Sequence, residues 1–172
     1  ALPNGIYLHG HAGTGKTAII KAFNRQYTVD STRMLSVYIN CVECYTTKIL
    51  LENILDEIND KLELQLESSR CDSLKEFVEM LRSIRKLKMK TPPLGYILAI
   101  DNAERLRDME ANILPSLLQL QHLSALNLCV ILASQLPLEK FYCQTGLPEI
   151  ISLTLRQYSK ADTLRILSSD CE

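Results

Sequence analysis

The run Gly10-His11-Ala12-Gly13-Thr14-Gly15-Lys16-Thr17 constrains this chain more than any other feature. It fits G-x-x-x-x-G-K-[ST] at every position. Its glycines let the backbone take positive φ and approach a ligand closely, and the loop amides can then line a concave nest for an anion. A helix beginning at Lys16 adds its N-terminal N–H groups at the same point. Lys16, expected to be solvent-exposed, is spaced to reach the outer phosphates of a nucleoside triphosphate, and Thr17 to offer its hydroxyl to Mg²⁺. The pattern carries weight only between a strand and a helix. Both are predicted: Ile6-Tyr7-Leu8 is a short apolar run entering the turn, and residues 16–27 suit a helix. His9 and His11 flank the turn and read as solvated or backbone-bonded loop residues.

The rest of the chain alternates strand and helix signals. Val37, Tyr38 and Ile39 favour a strand over 35–40. Thr46 and Thr47 are candidate N-caps for a helix in which Ile49, Leu50, Ile54, Leu55, Ile58 and Leu62 recur at helical spacing. Residues 67–71 are polar and read as a loop. Ser73 is placed to cap a helix with Leu74, Phe77, Val78, Leu81, Ile84 and Leu87 on one face, ending at Thr91-Pro92-Pro93. The basic end of that helix, Arg82, Arg85, Lys86, Lys88 and Lys90, reads as a solvated terminus favoured by the macrodipole, not as a DNA patch. The apolar run 96–100 suits a central parallel strand. A helical stretch is predicted from 103, interrupted at Pro115 and resumed to His122. Buried strands are predicted at 128–133 and 150–155, and Ser159 caps a last helix carrying Ala161, Leu164 and Leu167. This alternation defines an α/β domain with a parallel sheet.

With 172 residues, 47% of them hydrophobic, the chain can build the core of one domain. With a net charge of -1 and a pI near 6.4, a strongly basic face is not expected, nor is tight binding of nucleic acid by this segment alone. No apolar run approaches the ~18–20 residues that cross a bilayer, and no secretory signal pattern opens the chain. Among the six cysteines, Cys41-x-x-Cys44 lacks the second ligand pair that a zinc site needs. These residues read as reduced thiols, as expected in a reducing compartment.

Downstream of the loop, the apolar run 95–100 closes on Asp101, a carboxylate suited to Mg²⁺ directly or through water. ATPases of the AAA+ class usually place Glu next, to orient or deprotonate the attacking water. Here the residue is Asn102, whose amide can position water but is a very poor base. Glu104 is expected to start the next helix and point elsewhere. The residues thus favour nucleotide binding over hydrolysis.

Two longer segments are more specific: Asn40-Cys41-Val42-Glu43-Cys44, and Asp101-Asn102-Ala103-Glu104-Arg105-Leu106-Arg107-Asp108-Met109-Glu110-Ala111-Asn112, continued by Leu114-Pro115 and residues 117–123. Through them the chain resembles the AAA+ initiator family of the eukaryotic origin recognition complex, over nearly its whole length. The resemblance implies an AAA+ P-loop NTPase fold with a five-stranded parallel sheet flanked by helices. It implies a base subdomain over 1–156 and the start of a helical lid over 157–172, with the remaining lid and a winged-helix region beyond. It implies ATP and Mg²⁺ as ligands, held by the loop Gly10 through Thr17 and by Asp101. Asn102 is the neighbour of the acidic motif, Gln135 of Ser134-Gln135 the candidate sensor, and Tyr158 the candidate adenine contact. The implied partners are the other subunits of the complex in the nucleus, with origin DNA met mainly through the assembly, in support of helicase loading, and no membrane. One departure stands out: between residues 128 and 155 there is no arginine to act on a neighbour's nucleotide, and Lys140 is the only cation. An active AAA+ switch of the helicase-loader or clamp-loader kind is the alternative. A small-molecule phosphotransferase is a third, but Arg105, Arg107, Arg156 and Arg165 form no recognisable substrate pocket in sequence.

Overall fold

The computed structural model describes residues 2–29, 34–63, 70–87, 92–141 and 148–169. Its centre is a pair of strands, β3 (Gly95–Asp101) and β4 (Leu128–Ser134), buried at every position. Such runs require cover on both faces, which is the environment of a central parallel strand. With β1 (Gly5–Gly10), β2 (Met34–Asn40) and β5 (Ile151–Leu155) they form one sheet in the order β2-β3-β4-β1-β5. Every pair is parallel, so all the carboxyl ends lie along one edge.

Side-chain alternation sorts the strands between two cores. Ile97 and Ala99 of β3, with Cys129 and Ile131 of β4, pack with Ile20 of α1 (Lys16–Val29). Leu98 and Ile100, with Val130 and Leu132, face the larger core. That core is completed by Leu50, Leu51, Ile54 and Leu55 of α2 (Thr47–Leu62), by Phe77 and Leu81 of α3 (Leu74–Lys86), by Leu117 of α4 (Ile113–Leu118) and by Leu120 of α5 (Leu120–Ser124). The predicted caps are present. Thr46 accepts from the Ile49 amide at 3.2 Å and Ser73 from the Glu76 amide at 3.3 Å. Ser159 Oγ and the Asp162 carboxylate exchange bonds with each other's amides at the start of α6 (Lys160–Ser169).

Two expectations are corrected. Pro115 does not interrupt a helix: it is the third residue of α4, where its missing N–H has no intrahelical acceptor to lose. The breaks fall around it, between a 3₁₀ helix (Ala103–Asp108) and α4, and at Gln119. β5 is not a buried strand; it is the sheet edge, with Ile151 and Leu153 each 49% exposed. Of the predicted loop 67–71, residues 70 and 71 are described; they are neither helix nor strand, and Cys71 is buried. Lys88, Lys90, Thr91, Cys143, Cys171 and the end of the last predicted helix lie outside the described residues.

Cys41, Cys44, Cys71 and Cys129 are free and buried. Burial pushes the thiol of Cys41 up to about 12, and those of Cys71 and Cys129 up to about 11. Thiolates, the reactive form, are therefore suppressed. Alkylation at pH 8 followed by peptide mass analysis should label these four only after unfolding; rapid labelling of Cys41 in the native protein would contradict this placement. These thiols hold their protons more tightly folded than unfolded. Their contribution to stability is thus complete below the ordinary thiol pKa of 9.0 and is lost as pH climbs towards about 12.

Candidate nucleotide-binding site

The loop after β1 and the ends of β3 and β4 meet at the carboxyl edge of the sheet. They wall a cleft of about 550 Å³ whose lining includes Gly13, Gly15, Lys16, Thr17, Lys21, Asp101, Asn102, Glu104 and Gln135. This falls within the roughly 300–1,000 Å³ of small-molecule sites. A ligand-binding crevice at this edge is the general expectation for open parallel sheets.

Gly13 and Gly15 take φ of +78° and +82°, the left-handed region that side chains strain. A Cβ at Gly15 would also lie 2.8 Å from the Tyr158 hydroxyl. Thr14 Oγ1 donates to the His11 carbonyl at 2.8 Å. Lys16 Nζ donates to the carbonyls of Gly10 and His11, at 2.7 Å each. The lysine is 9% exposed, against the expectation that it would be open to solvent. A partly buried ammonium needs acceptors, and the loop's own carbonyls supply them.

The bond from the Ile19 amide to the Gly15 carbonyl is the first at the head of α1. The amides of Lys16, Thr17 and Ala18 therefore precede any possible intrahelical acceptor. No acidic residue occupies that first turn. Positive dipole end, free donors and an ammonium converge, a combination that suits a polyanion. Thr17 and Asp101 border the same cleft, and a hydroxyl with a carboxylate is a hard-oxygen pair of the kind Mg²⁺ takes. The donor set thus fits a magnesium nucleotide.

Asp101 is 2% exposed. Its Oδ1 accepts from the Asn102 amide at 2.9 Å and its Oδ2 from the Tyr38 hydroxyl at 3.1 Å. Asn102 is left-handed, φ 53° and ψ 42°, a conformation Asn tolerates better than most residues. Its Nδ2 donates to Asn40 Oδ1 at 2.8 Å, binding the acidic motif to the end of β2.

Glu104 does not point away. Its Oε2 accepts from Ser134 Oγ at 3.0 Å and from the Gln135 amide at 3.2 Å, and the residue borders the cleft. The left-handed turn at Asn102 and the tight 3₁₀ helix after it carry Glu104 over the end of β4. The sequence signal for this was the polar pair Ser134-Gln135, which needs a partner at the end of a buried strand. Gln135 borders the cleft. Tyr158 lies against the loop, its hydroxyl donating to the Thr14 carbonyl at 3.4 Å. His11 is exposed. Arg105 pairs with Asp108 at 3.9 Å on the surface. Tyr38 and Asn40, read in sequence as strand and as part of a resemblance, turn out to hold the acidic motif.

Residues 2–131 match the family described as AAA ATPase domain. The chain belongs to that family, and the sheet order and the loop at its carboxyl edge are what such a domain requires. More narrowly, the chain is homologous to origin recognition complex subunit 5, an AAA+ initiator. It is 51% identical over 168 residues to the Drosophila melanogaster protein, covering 98% of this chain and 35% of that one. It is 35% identical over 173 residues to the Homo sapiens protein, covering 96% and 37%. The chain thus spans roughly a third of the length of these relatives. Among solved structures, that of Drosophila ORC bound to DNA matches with a TM-score of 0.85 at 51% identity, over 98% of this chain and 41% of that chain. The Aeropyrum pernix ORC1 protein in complex with DNA shares the fold at 18% identity, with a TM-score of 0.72 over 99% and 44%.

Replacing Lys16 removes a buried ammonium and, if the cleft holds a nucleotide, its candidate phosphate contact. Lys16→Ala should weaken ATP binding by roughly 100-fold, the scale of losing charge-assisted hydrogen bonds. The unpaired loop carbonyls should lower stability by about 1–3 kcal/mol, which leaves a typical domain folded. Calorimetric titration and thermal unfolding measure the two effects, and unchanged affinity in the variant would refute the assignment.

Proposed function

We propose that this domain binds Mg-ATP without meaningful hydrolysis, as part of a nuclear assembly of origin recognition complex subunits that supports helicase loading on origin DNA. The loop Gly10 through Thr17 would hold the phosphates, with Thr17 and Asp101 serving the metal. Bound Mg²⁺ would supply charge neutralisation at the outer phosphates. In this reading Gln135, on the cleft wall, senses the terminal phosphate, and Tyr158, beside the loop, contacts the adenine. Residues 1–156 are the base subdomain, and 157–172 open a lid. The exposed Leu164 of α6 supports that division, as an apolar side chain available to pack within a lid. ATP bound only by the assembled form would stabilise the assembly by linkage. With a net charge of -1, this segment is suited to meet protein partners first and DNA through them.

One observation carries the non-hydrolytic reading. The position that needs a proton acceptor holds Asn102, and its amide is committed to Asn40. Hydrolysis requires a water held in line and a group to take its proton. Glu104, the nearby carboxylate, already accepts two bonds from the end of β4. Those bonds hold it at the end of β4 and oppose its use as a mobile base. A positioned base contributes ~10²–10⁴-fold in rate, so its absence leaves slow turnover.

The experiment is single-turnover hydrolysis in the assembled complex, with the phosphate loops of the other subunits disabled. The parent should be slow. Asn102→Glu should be faster, although Glu in a left-handed turn costs about 1–2 kcal/mol of backbone strain. Rapid parental turnover that disappears in Glu104→Gln would overturn this reading in favour of an active AAA+ switch.

A further inference from the structure

Tyr38 projects from β2, an edge strand of the sheet. Its partner in register is Ala99, two residues before Asp101. That diagonal is within reach of a long aromatic side chain. The hydroxyl donates to Asp101 Oδ2 at 3.1 Å while the Asn102 amide holds Oδ1 at 2.9 Å. Both oxygens of one buried carboxylate are therefore fixed, one by the Tyr38 hydroxyl and one by the Asn102 amide. Across the ring of Tyr38 sits Lys21 Nζ, 5.5 Å from its centroid, and Lys21 itself borders the cleft. The phenol is thus held between a cation of the cleft and its buried acid. A phenolic hydroxyl carries its proton at physiological pH, so Tyr38 serves Asp101 as a donor.

We infer that Tyr38 is a positioning residue for the divalent cation: its hydroxyl orients the Asp101 carboxylate so that the acid presents itself to Mg²⁺ without reorganisation. The inference rests on the Mg-ATP reading above. Groups that orient a metal-binding carboxylate typically contribute 10–100-fold to metal affinity or activity. A tyrosine that only packed against its neighbours would not discriminate between nucleotide with metal and nucleotide without it.

Tyr38→Phe keeps the ring and its contact with Lys21 and removes only the hydroxyl. ATP affinity of the full-length protein would be measured in excess magnesium and in EDTA. The enhancement by magnesium should fall roughly tenfold in Tyr38→Phe, while affinity in EDTA stays within about twofold, the scale of remote effects. In an Asp101→Asn background, where the oriented group is gone, Tyr38→Phe should have no further effect. Equal loss with and without magnesium, or an enhancement equal to that of a magnesium-responsive parent, would overturn the role of Tyr38 alone. A parent whose affinity ignores magnesium would remove the Mg-ATP reading, and this inference with it.

Discussion

A parallel sheet whose central strands are apolar on both sides must be covered on both sides, and that requirement organises the whole domain. β3 and β4 are buried throughout, so both faces of the sheet carry helices, α1 on one and α2 to α5 on the other. The strand ends then gather at one edge. Polar residues that could not be tolerated within β3 and β4 appear immediately at their ends: Asp101, Asn102, Ser134 and Gln135. The site is a consequence of where the apolar runs stop.

At that edge the electrostatics are opposed by design. The head of α1 and Lys16 bring positive charge, while Asp101 and Glu104 bring negative charge. Each charged group is held by neutral partners: loop carbonyls for Lys16, the Tyr38 hydroxyl and an amide for Asp101, Ser134 and an amide for Glu104. Neutral hydrogen bonds fix a charged group without cancelling it. The cleft therefore keeps both signs in place, an arrangement matched by a metal-bound polyphosphate and poorly matched by an anion or a cation alone.

Most of the architecture was legible from the residues because its signals are local. The loop motif, the runs of β3 and β4, and the caps at Thr46, Ser73 and Ser159 each depend on a few neighbouring positions. Much of what escaped depends on residues far apart in the chain. The edge position of β5 follows from sheet order, not from the apolar content of Ile151-Ser152-Leu153-Thr154-Leu155, which reads like a buried strand. The burial of Lys16 follows from loop curvature. The grip of Tyr38 on Asp101 spans 63 positions, and nothing in the composition of β2 announces it.

The turn after β3 links several of these facts through one backbone angle. A residue at φ 53° and ψ 42° is one that Gly, Asn or Asp occupies most readily: Gly has no Cβ to meet the following carbonyl, and the short polar side chains of Asn and Asp offset that contact with local hydrogen bonds. Asn therefore suits the conformation as well as the bond to Asn40. The same turn starts the 3₁₀ helix that swings Glu104 over β4, where its carboxylate ties Ser134 and Gln135 to the acidic motif. A Glu at 102 would gain a base and lose both the relaxed turn and the cross-link to β2. The chemistry absent from this position and the rigidity present around it thus have a common origin: the turn is built to hold three strand ends together, and the residue that does so best cannot accept a proton.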